Sequence, residues 1–458
     1  MRFERRMSDM DALMWGIEKD PLLRSTITAV AVLDQAPDRA RLLDRIERGT
    51  RLVPRLRQRA ISPPLGVAPP QWVPDPNFDL NYHLRFIKAP GEGSLRDLLD
   101  LAAPIAMQGF DRARPLWEFT VIEGLADGKA ALIQKIHHSV TDGVGGIKIA
   151  LMLLDAERDP APDTSAMPPI EEPETISPLG LLREGLDHER RRQLGIARRA
   201  FGTAANVLRD IPTAARTTAA TAASLGRLLA PAFAPLSPIM GARSLSVRFD
   251  VITAPLGETK AAANTVGGRL NDAFVAAVVG GLARYHERLG APVDALRMTM
   301  PINIRTGDGE LLAGNQFVPA RFPVPMTITD PAERMTAIQA LVGEARAEPG
   351  LALTEPVAGV LNRLPTSVTT QLFGGMLKGI DFVTSNVPGA PFPVFLAGGR
   401  LESNFAFGPL SGAAANITLL SYLDDLHVGV NTDPAAVTEP ELFCECLQEG
   451  FEEIRKLA

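Results

Sequence analysis

Cysteine, long apolar runs and excess positive charge are all scarce in this chain of 458 residues, and each shortage excludes a class of protein. The two cysteines, Cys444 and Cys446, cannot frame a disulfide scaffold of this size, and they lack the histidine or cysteine companions of a zinc site. No run of about 18 apolar residues is present, which argues against a conventional transmembrane helix. We therefore expect reduced thiols in a cytoplasmic protein, with at most peripheral contact with a membrane or with lipid inclusions.

The charge balance excludes a further class of partner. A net charge of -6 and an isoelectric point near 5.7 provide no overall cationic field, so we expect no nucleic-acid partner. Residues 1–11 are charged throughout and do not resemble an export signal. Hydrophobic residues make up 46% of the chain, which at this length predicts a globular protein of two or three domains.

Residues 136–146, IHHSVTDGVGG, carry the strongest chemical pattern in the chain. They follow an apolar run and precede apolar residues at helical spacing, which predicts a strand, a loop and a helix in succession. Adjacent strand residues point to opposite faces, so only one of His137 and His138 can face a given cavity. An imidazole can take a proton at neutral pH and return it, which suits a general base. The alternative is a packed, hydrogen-bonded histidine pair beside an ordinary glycine turn.

Proline and acidic residues crowd the stretch 159–178, where large apolar side chains are almost absent. This composition predicts a linker between two halves. We predict an N-terminal domain over residues 1–155, a linker over 156–180, a helical connecting region over 181–240 and a C-terminal domain over 241–458. Strands and helices mix in both halves, which is typical of a layered α/β fold.

Arginines cluster in the helical connecting region at positions 190–192, 198 and 199, while apolar residues recur at helical spacing. A basic amphipathic helix of this kind can lie on an anionic membrane surface. It can also pack on the domains and leave a solvated basic face. The pattern leaves both interpretations open.

Local patterns predict the elements that surround the histidines. β-Branched residues over 25–33 predict a strand, and residues 95–107 predict an amphipathic helix. Strands over 117–121 and 130–138 are expected to form a hairpin across a turn at 126–128.

Two further residues stand at the ends of predicted elements. Trp117 begins the first hairpin strand, directly after Pro115 and Leu116. Core packing is a sufficient explanation for these three residues. Even in that case Trp117 would anchor the strand close to the histidines. Asn271 precedes a helical apolar pattern and is well placed as the N-cap of that helix.

Several short motifs occur in a fixed order along the chain. They are FDL at 78–80, YH at 82–83, PLWE at 115–118, HHSVTDG at 137–143, ND at 271–272, PINIR at 301–305, GNQF at 314–317, SNVPG at 385–389, SY at 421–422 and Asp433. Together they resemble the bacterial wax ester synthase/diacylglycerol acyltransferase family. The histidine signature alone is shared with peptide-synthetase condensation domains and the wider chloramphenicol acetyltransferase-like superfamily. The resemblance implies two chloramphenicol acetyltransferase-like domains, with mixed sheets flanked by helices and a central tunnel at their interface.

The resemblance also implies an activity. Family members transfer an acyl group from acyl-CoA to diacylglycerol or a long-chain alcohol, which gives triacylglycerol or wax ester and free CoA. Acyl-CoA is then a co-substrate, and no cofactor or metal is expected. His138 would be the general base, while His137 would support the strand by packing and a hydrogen bond. The chain has no Gly-x-Ser-x-Gly nucleophile elbow, so no covalent acyl-enzyme is expected.

The remaining site residues have supporting roles in this prediction. Asp142 would tether the histidine loop by pairing with Arg305 of the second domain, and Gly143 would give room for the turn. By family analogy Asn271 is a candidate donor to the oxyanion, against its alternative role as a helix cap. Pro115 and Trp117 would lie beside the substrate.

Rival functions and one departure from the family pattern stay open. The same fold could acylate another alcohol or form amides, although condensation normally needs carrier-protein partners. A catalytically inactive lipid-binding protein is a second rival, and a metal hydrolase is the weakest because the motif lacks regular metal-ligand spacing. Many family members have Pro-Met-His before the first strand, where residues 21–24 read PLLR. With few aromatics in the first half, the acceptor preference is left open.

Overall fold

Two mixed β-sheets of six strands each organise the chain in the computed structural model. The structure describes residues 4–141, 146, 149, 152–161, 163, 165–171, 177–207, 234–303, 317–348 and 354–458, without the side chains of residues 195–207, 303, 317 and 318. The strands are β1 (Thr26–Leu33), β2 (Gln58–Ile61), β3 (Gln71–Pro74), β4 (Leu84–Lys88), β5 (Trp117–Glu123), β6 (Ala130–His137), β7 (Arg248–Pro255), β8 (Ala295–Asn303), β9 (Phe317–Pro325), β10 (Phe382–Val387), β11 (Phe395–Leu396), β12 (Gly399–Phe407), β13 (Ala415–Tyr422) and β14 (Asp425–Thr432). The α-helices are α1 (Asp9–Ile17), α2 (Arg39–Leu52), α3 (Leu80–His83), α4 (Leu95–Met107), α5 (Pro178–Val207), α6 (Leu256–Asn264), α7 (Leu270–Arg288), α8 (Pro331–Ala347), α9 (Thr354–Leu361), α10 (Thr366–Lys378) and α11 (Pro440–Arg455).

Both sheets combine antiparallel and parallel strand pairs. The strand order of the first sheet is β11-β12-β1-β6-β5-β4, and that of the second is β7-β14-β13-β10-β8-β9. The β4–β5, β10–β13 and β8–β10 pairs are parallel, whereas the other pairs within the two sheets are antiparallel. The predicted mixed α/β architecture with two mixed sheets is therefore confirmed.

Strand β12 of the second half lies in the sheet of the first half, which the division at the linker did not predict. It pairs antiparallel with β1, with Phe405 opposite Val30 and Phe407 opposite Thr28. Without this strand, β1 would present a row of unpaired backbone groups at the sheet edge. Phe405 and Phe407 also pack into the core under helix α4. The second half therefore contributes β11 and β12 to the first sheet, so residues 1–155 do not complete their own sheet.

Short-range signals explain the helix and the hairpin that flank the histidine strand. Ser94 accepts a hydrogen bond from the Asp97 backbone, and the Asp97 carboxylate accepts one from the Ser94 backbone, so a reciprocal capping box starts α4. The predicted helix over 95–107 is confirmed. Strands β5 and β6 form the predicted antiparallel hairpin, with a short 3₁₀ turn at Ala126–Gly128.

The predicted linker is held against helix α2 over its described part. Arginines along one side of this helix bind carboxylates and carbonyl oxygens of residues 155–168; these arginines are Arg41, Arg45, Arg48 and Arg51. Arg48 is largely buried and donates to Ser165 Oγ at 3.1 Å and to the Ala166 carbonyl at 3.2 Å. The described part of this linker, here called the strap, is therefore held against α2.

Two further expectations concern membranes and the tunnel. Across the part of the chain that the structure describes, no α-helix combines the length and apolar composition needed to cross a membrane. The predicted central tunnel stays a prediction, because residues 142–145 and 304–316 of the surrounding loops lie outside the described residues.

Candidate active site

Strand β6 brings the two histidines to the middle of the first sheet. It lies between β1 and β5, with His137 opposite Thr26 and Ile136 opposite Trp117. The strand ends at His137, but the His138 backbone N–H still donates to the Ser25 carbonyl at 2.9 Å. His137 is fully buried, whereas His138 is partly exposed. The two adjacent rings therefore occupy different environments.

Both ring nitrogens of His137 are engaged by protein atoms. Nε2 lies 2.8 Å from Oε1 of Glu18, and Nδ1 lies 2.7 Å from Oγ of Ser139. The Ser139 backbone N–H also donates to Nδ1 at 3.1 Å. In the neutral ring Nδ1 is therefore the acceptor, and Nε2 carries the proton that points at Glu18. The ring is held in one tautomer and one orientation.

Glu18 is a site residue that the sequence pattern did not reveal. Its carboxylate accepts a hydrogen bond from the Ser25 backbone N–H at 2.6 Å, besides its contact with His137. Burial favours the protonated acid, but the contact with His137 and the hydrogen bond from Ser25 outweigh burial, so the pKa of Glu18 lies below its ordinary value. The residue follows helix α1 as its C-cap, a position with no motif around it. Its partner is distant in sequence, so only the fold could identify the pair.

Aromatic rings enclose the His137 side chain from two sides. The edge of Trp15 meets the ring at a centroid distance of 5.3 Å, and Phe110 lies at 6.0 Å. The Arg112 guanidinium covers the Trp15 ring at 4.0 Å and donates to the Trp15 carbonyl. Helix α1 is thus fixed against the histidine strand.

Asp142, Gly143 and Arg305 lie outside the described residues. The predicted pairing of Asp142 with Arg305, and the turn at Gly143, therefore stay predictions. On the near side of this loop, Val140 and Thr141 are buried.

Pro115 and Trp117 lie inside the first core. The Trp117 ring is fully buried, and its Nε1–H donates to the Leu56 carbonyl at 2.7 Å. His83 stacks on it at a centroid distance of 4.7 Å and contacts the Trp117 carbonyl through Nδ1 at 2.7 Å. The indole thus anchors the strand that pairs with β6, and a direct contact with substrate stays a prediction.

The predicted N-cap role of Asn271 is wrong. Helix α7 begins at Leu270 with Arg269 as its N-cap, so Asn271 is already inside the first turn. The Asp272 carboxylate accepts a hydrogen bond from the Arg269 backbone N–H at 2.8 Å and so takes over the capping. The Asn271 amide instead lies 3.6 Å from the sulfur of Met300 on β8 and is half-buried. Its role as an oxyanion donor stays a prediction.

Described residues line two clefts. The first cleft has a volume of about 610 Å³, including the open space at its mouth. Its wall is partly polar and includes Thr26 and Thr28 of β1. The second, of about 740 Å³ with its mouth, is here called the apolar cleft. It is lined by Met10, Leu13, Thr299, Pro319, Arg321, Thr354, Val357, Ala358, Leu361, Phe373, Met376, Leu377 and Ile380. Leu13 of helix α1 lines this cleft. Its position is about 8 Å along the helix axis from Glu18, whose carboxylate contacts His137.

Solved structures define the class of the fold. Over 98% of each chain, a wax ester synthase/diacylglycerol acyltransferase from Marinobacter aquaeolei VT8 superposes with a TM-score of 0.64 at 23% identity. The first condensation domain of the calcium-dependent antibiotic synthetase, in complex with a substrate analogue, superposes with a TM-score of 0.61 at 16% identity, over 99% of this chain and 96% of that domain. The fold is therefore that of the condensation-domain and wax ester synthase class.

Sequence comparison then identifies the family. Residues 7–274 match the wax ester synthase/diacylglycerol acyltransferase catalytic domain, and residues 313–455 match the WS/DGAT C-terminal domain. Two Mycobacterium tuberculosis (strain ATCC 25618 / H37Rv) proteins named putative diacylglycerol O-acyltransferases are similar over nearly their whole length. Rv2484c is 38% identical over 100% of this chain and 93% of its own, and Rv3087 is 31% identical over 94% and 93%. The chain belongs to the wax ester synthase/diacylglycerol acyltransferase family of acyltransferases, as the motifs predicted.

Proposed function

We propose that the protein transfers a long-chain acyl group from acyl-CoA to a hydroxyl of diacylglycerol, of a long-chain alcohol, or of both. Family membership supports acyl transfer, and the names of the mycobacterial relatives favour diacylglycerol as the acceptor. The products are then triacylglycerol or wax ester, with free CoA. Condensation domains share the fold at 16% identity, but the sequence matches the wax ester synthase/diacylglycerol acyltransferase family over both halves, so amide-forming condensation is not a second candidate.

We assign the general base to His138 because the two histidines lie in different environments. Contacts with Glu18 and Ser139 occupy both nitrogens of the buried His137 ring. A base must lie within hydrogen-bond reach of the hydroxyl it deprotonates, and His137 cannot offer a lone pair without breaking these contacts. His138 is partly exposed and is positioned by its backbone bond to Ser25. The catalytic role therefore falls to His138.

The reaction needs one proton transfer in each direction. The acceptor hydroxyl oxygen attacks the thioester carbonyl carbon while the His138 imidazole takes its proton. The tetrahedral intermediate then collapses, the carbon–sulfur bond breaks, and the imidazolium returns the proton to the leaving thiolate. A positioned base contributes roughly 100 to 10,000-fold to such a step.

The supporting residues act on the intermediate and on the loop. The Asn271 amide, at the start of α7, would donate to the oxyanion. Asp142 would pair with Arg305 and so tie the histidine loop to the second sheet, with Gly143 allowing the turn. Pro115 and Trp117 would hold the neighbouring strand at the edge of the substrate passage.

The apolar cleft supports lipid-sized substrates. Aliphatic and aromatic side chains dominate its wall, and helix α1 links it to the residues that hold His137. We infer that a tunnel between the two sheets connects this cleft to His138, with acyl-CoA entering from the other side. Peripheral contact with a lipid surface would let a water-insoluble acceptor reach the cleft from a cytoplasmic enzyme.

An assay with separate acceptors tests the proposal. Purified protein is incubated with palmitoyl-CoA alone, with dioleoylglycerol, or with hexadecanol, and both released thiol and neutral lipid are measured. We expect thiol release that depends on an acceptor and matches the ester formed. Thiol release without ester in every arm would indicate a hydrolase, and no turnover in any arm would contradict the proposal.

A further inference from the structure

Helices α9 and α10 follow each other along the chain across residues 362–365, and this surface segment, here called the α9–α10 hairpin, carries little charge between Glu355 and Lys378 at its two ends. Arg363 is the sole charged residue between Pro356 and Leu377. Charged residues make up 22% of the chain, so a segment of this length would ordinarily carry several. A surface helix normally places charged side chains on its outer face, and this hairpin does not.

The outer face of the hairpin instead exposes a row of aliphatic side chains, here called the stripe. The fractional exposure is 59% for Val360, 41% for Leu364, 42% for Val368 and 48% for Leu372. Val368 and Leu372 lie one turn apart on the same face of α10, whereas Val360 lies on α9 and Leu364 lies in the short loop between the two helices. Contiguous exposed apolar patches on a protein surface mark sites that contact another apolar phase or partner.

The inner face of the same hairpin is apolar as well. Val357 and Leu361 of α9, together with Phe373 and Met376 of α10, line the apolar cleft. The hairpin thus carries apolar side chains both towards the cleft and on its exposed side, where Arg363, Ser367 and Gln371 are also exposed.

Cationic side chains of helix α5 stand beside the hairpin. Glu189 pairs with Arg363, and Arg192 pairs with Asp9 at 2.7 Å while its guanidinium lies against Gly359. These contacts hold one turn of α5 against α9. Arg190 and Arg191 of the same turn are exposed. With Glu189 paired to Arg363, the exposed Arg190 and Arg191 beside a segment of little charge complement an anionic lipid surface.

We propose that the α9–α10 hairpin docks on a lipid surface, with the stripe in the interfacial region and Arg190 and Arg191 against anionic headgroups. The four partly exposed side chains provide only a few hundred Å² of apolar area, which is small for a stable protein interface but sufficient for reversible attachment to lipid. The cleft beneath the hairpin then opens towards the lipid phase. The identity of the lipid taken up there rests on the proposed function, whereas docking itself does not.

Vesicle binding tests docking without any turnover. The full-length protein is sedimented with phosphatidylcholine vesicles that contain phosphatidylglycerol, and the double variant Val368→Ser/Leu372→Ser is compared with Leu52→Ser/Leu65→Ser. Leu52 and Leu65 are at least as exposed but lie far from the hairpin in sequence. We expect the stripe variant to lose at least about tenfold in partition coefficient at an unchanged melting temperature, while the control binds normally. Equal binding of both variants, or equal loss in both, would overturn the proposal.

A fluorescent probe gives a second measurement on folded protein. The three tryptophans of the chain are all buried, so a new tryptophan at the surface reports on its own surroundings. In Leu372→Trp the emission should shift to the blue on vesicles and be quenched by brominated lipid, whereas Leu52→Trp should show neither effect. Arg190→Gln/Arg191→Gln should weaken binding to anionic vesicles more than to neutral ones. An unquenched Leu372→Trp probe on sedimented protein would place the contact elsewhere and refute the docking mode.

Docking and the proposed chemistry fail separately in these experiments. Vesicle binding that needs the stripe, without acyl transfer to any acceptor, would keep the docking surface and reject the proposed function. Acyl transfer to a detergent-dispersed acceptor, with vesicle binding independent of the stripe, would support the proposed function and reject the docking surface. If both hold, the stripe variant should lose activity on vesicle-borne dioleoylglycerol but keep it on the dispersed substrate.

Discussion

The Nε2 atom of His137 lies 2.8 Å from Oε1 of Glu18, and this contact joins the end of helix α1 to the end of strand β6. Helix α1 also lines the apolar cleft through Met10 and Leu13. A single helix therefore connects the cleft to the strand that carries the proposed base. Its attachment to that strand combines this largely buried carboxylate with the contact between the Trp15 and His137 rings.

Removal of the Glu18 carboxylate should destabilise the protein. In Glu18→Ala the Ser25 N–H and the His137 Nε2–H lose their acceptor, which should lower the free energy of unfolding by about 3 kcal/mol. Glu18→Gln retains an acceptor oxygen and should cost less. Urea unfolding measures both, with Glu92→Ala at an exposed position as the control. An unfolding curve for Glu18→Ala that coincides with wild type would show that the pair does not hold α1.

Acidification should destabilise the protein through His83. Burial lowers the pKa of His83 to about 4, below the ordinary histidine value. Between about pH 6.5 and pH 4 the unfolded chain therefore binds a proton at this residue, whereas the folded protein does not. The stability from the neutral ring is complete above about pH 6.5 and is lost as the pH falls towards 4. Between pH 7 and pH 5 the loss should be about 2 kcal/mol.

The variant His83→Phe isolates this contribution. It keeps an aromatic ring against Trp117 but has no titrating group, and the other buried histidines are unchanged. The wild-type protein should lose about 2 kcal/mol more than the variant between pH 7 and pH 5 in urea titrations. Parallel pH profiles for the two proteins would contradict the prediction.

Strand β12, which belongs to the first sheet, packs so closely on β14 of the second sheet that Gly429 of β14 has no room for a side chain. A Cβ atom on Gly429 would lie 2.1 Å from the Ala406 carbonyl oxygen, where β12 crosses β14. Gly429→Ala should therefore lower the free energy of unfolding by about 3 kcal/mol, because packed backbone must move apart. Gly343→Ala in helix α8 meets no neighbouring atom and should instead stabilise the protein by about 1 kcal/mol. Thermal unfolding of both variants checks this prediction; equal stabilisation would show that the strands do not cross so closely.

Release of the strap should expose the linker to proteases. Arg48→Ala removes the donor to Ser165 and Ala166, so residues 159–171 should be cleaved more rapidly by limited proteolysis. The cost in stability should be about 1 to 2 kcal/mol, since the lost hydrogen bonds come from a charged and largely buried group. Arg39→Ala, which breaks an exposed pair with Glu123, should change neither quantity appreciably. Equal cleavage rates for the two variants would show that the linker is not held by α2.

Local patterns predicted the elements, whereas long-range contacts assembled the site. The bounds of α4 followed from its amphipathic spacing, and the β5–β6 hairpin followed from its turn. The pairing of Glu18 with His137 joins residues far apart in sequence, with no pattern around the glutamate. The insertion of β12 beside β1 likewise depends on edge pairing and on packing of Phe405 and Phe407.

The error at Asn271 has a local cause. Asparagine is a preferred N-cap, but here the helix starts earlier because the Asp272 carboxylate accepts the Arg269 backbone N–H. The sequence therefore predicts the presence of the helix better than the residue that caps it. The histidine motif predicted that the two adjacent rings cannot face the same cavity, and the structure describes His137 as buried and His138 as partly exposed.

The rate of ester formation by His138→Ala tests the central claim most directly. Initial rates are measured with saturating palmitoyl-CoA and the better acceptor, alongside His188→Ala on helix α5 as a matched substitution outside the site. The account predicts that His138→Ala keeps the wild-type melting temperature and loses at least about 100-fold in rate, while His188→Ala keeps both. A folded His138→Ala protein that forms ester at the wild-type rate would contradict it.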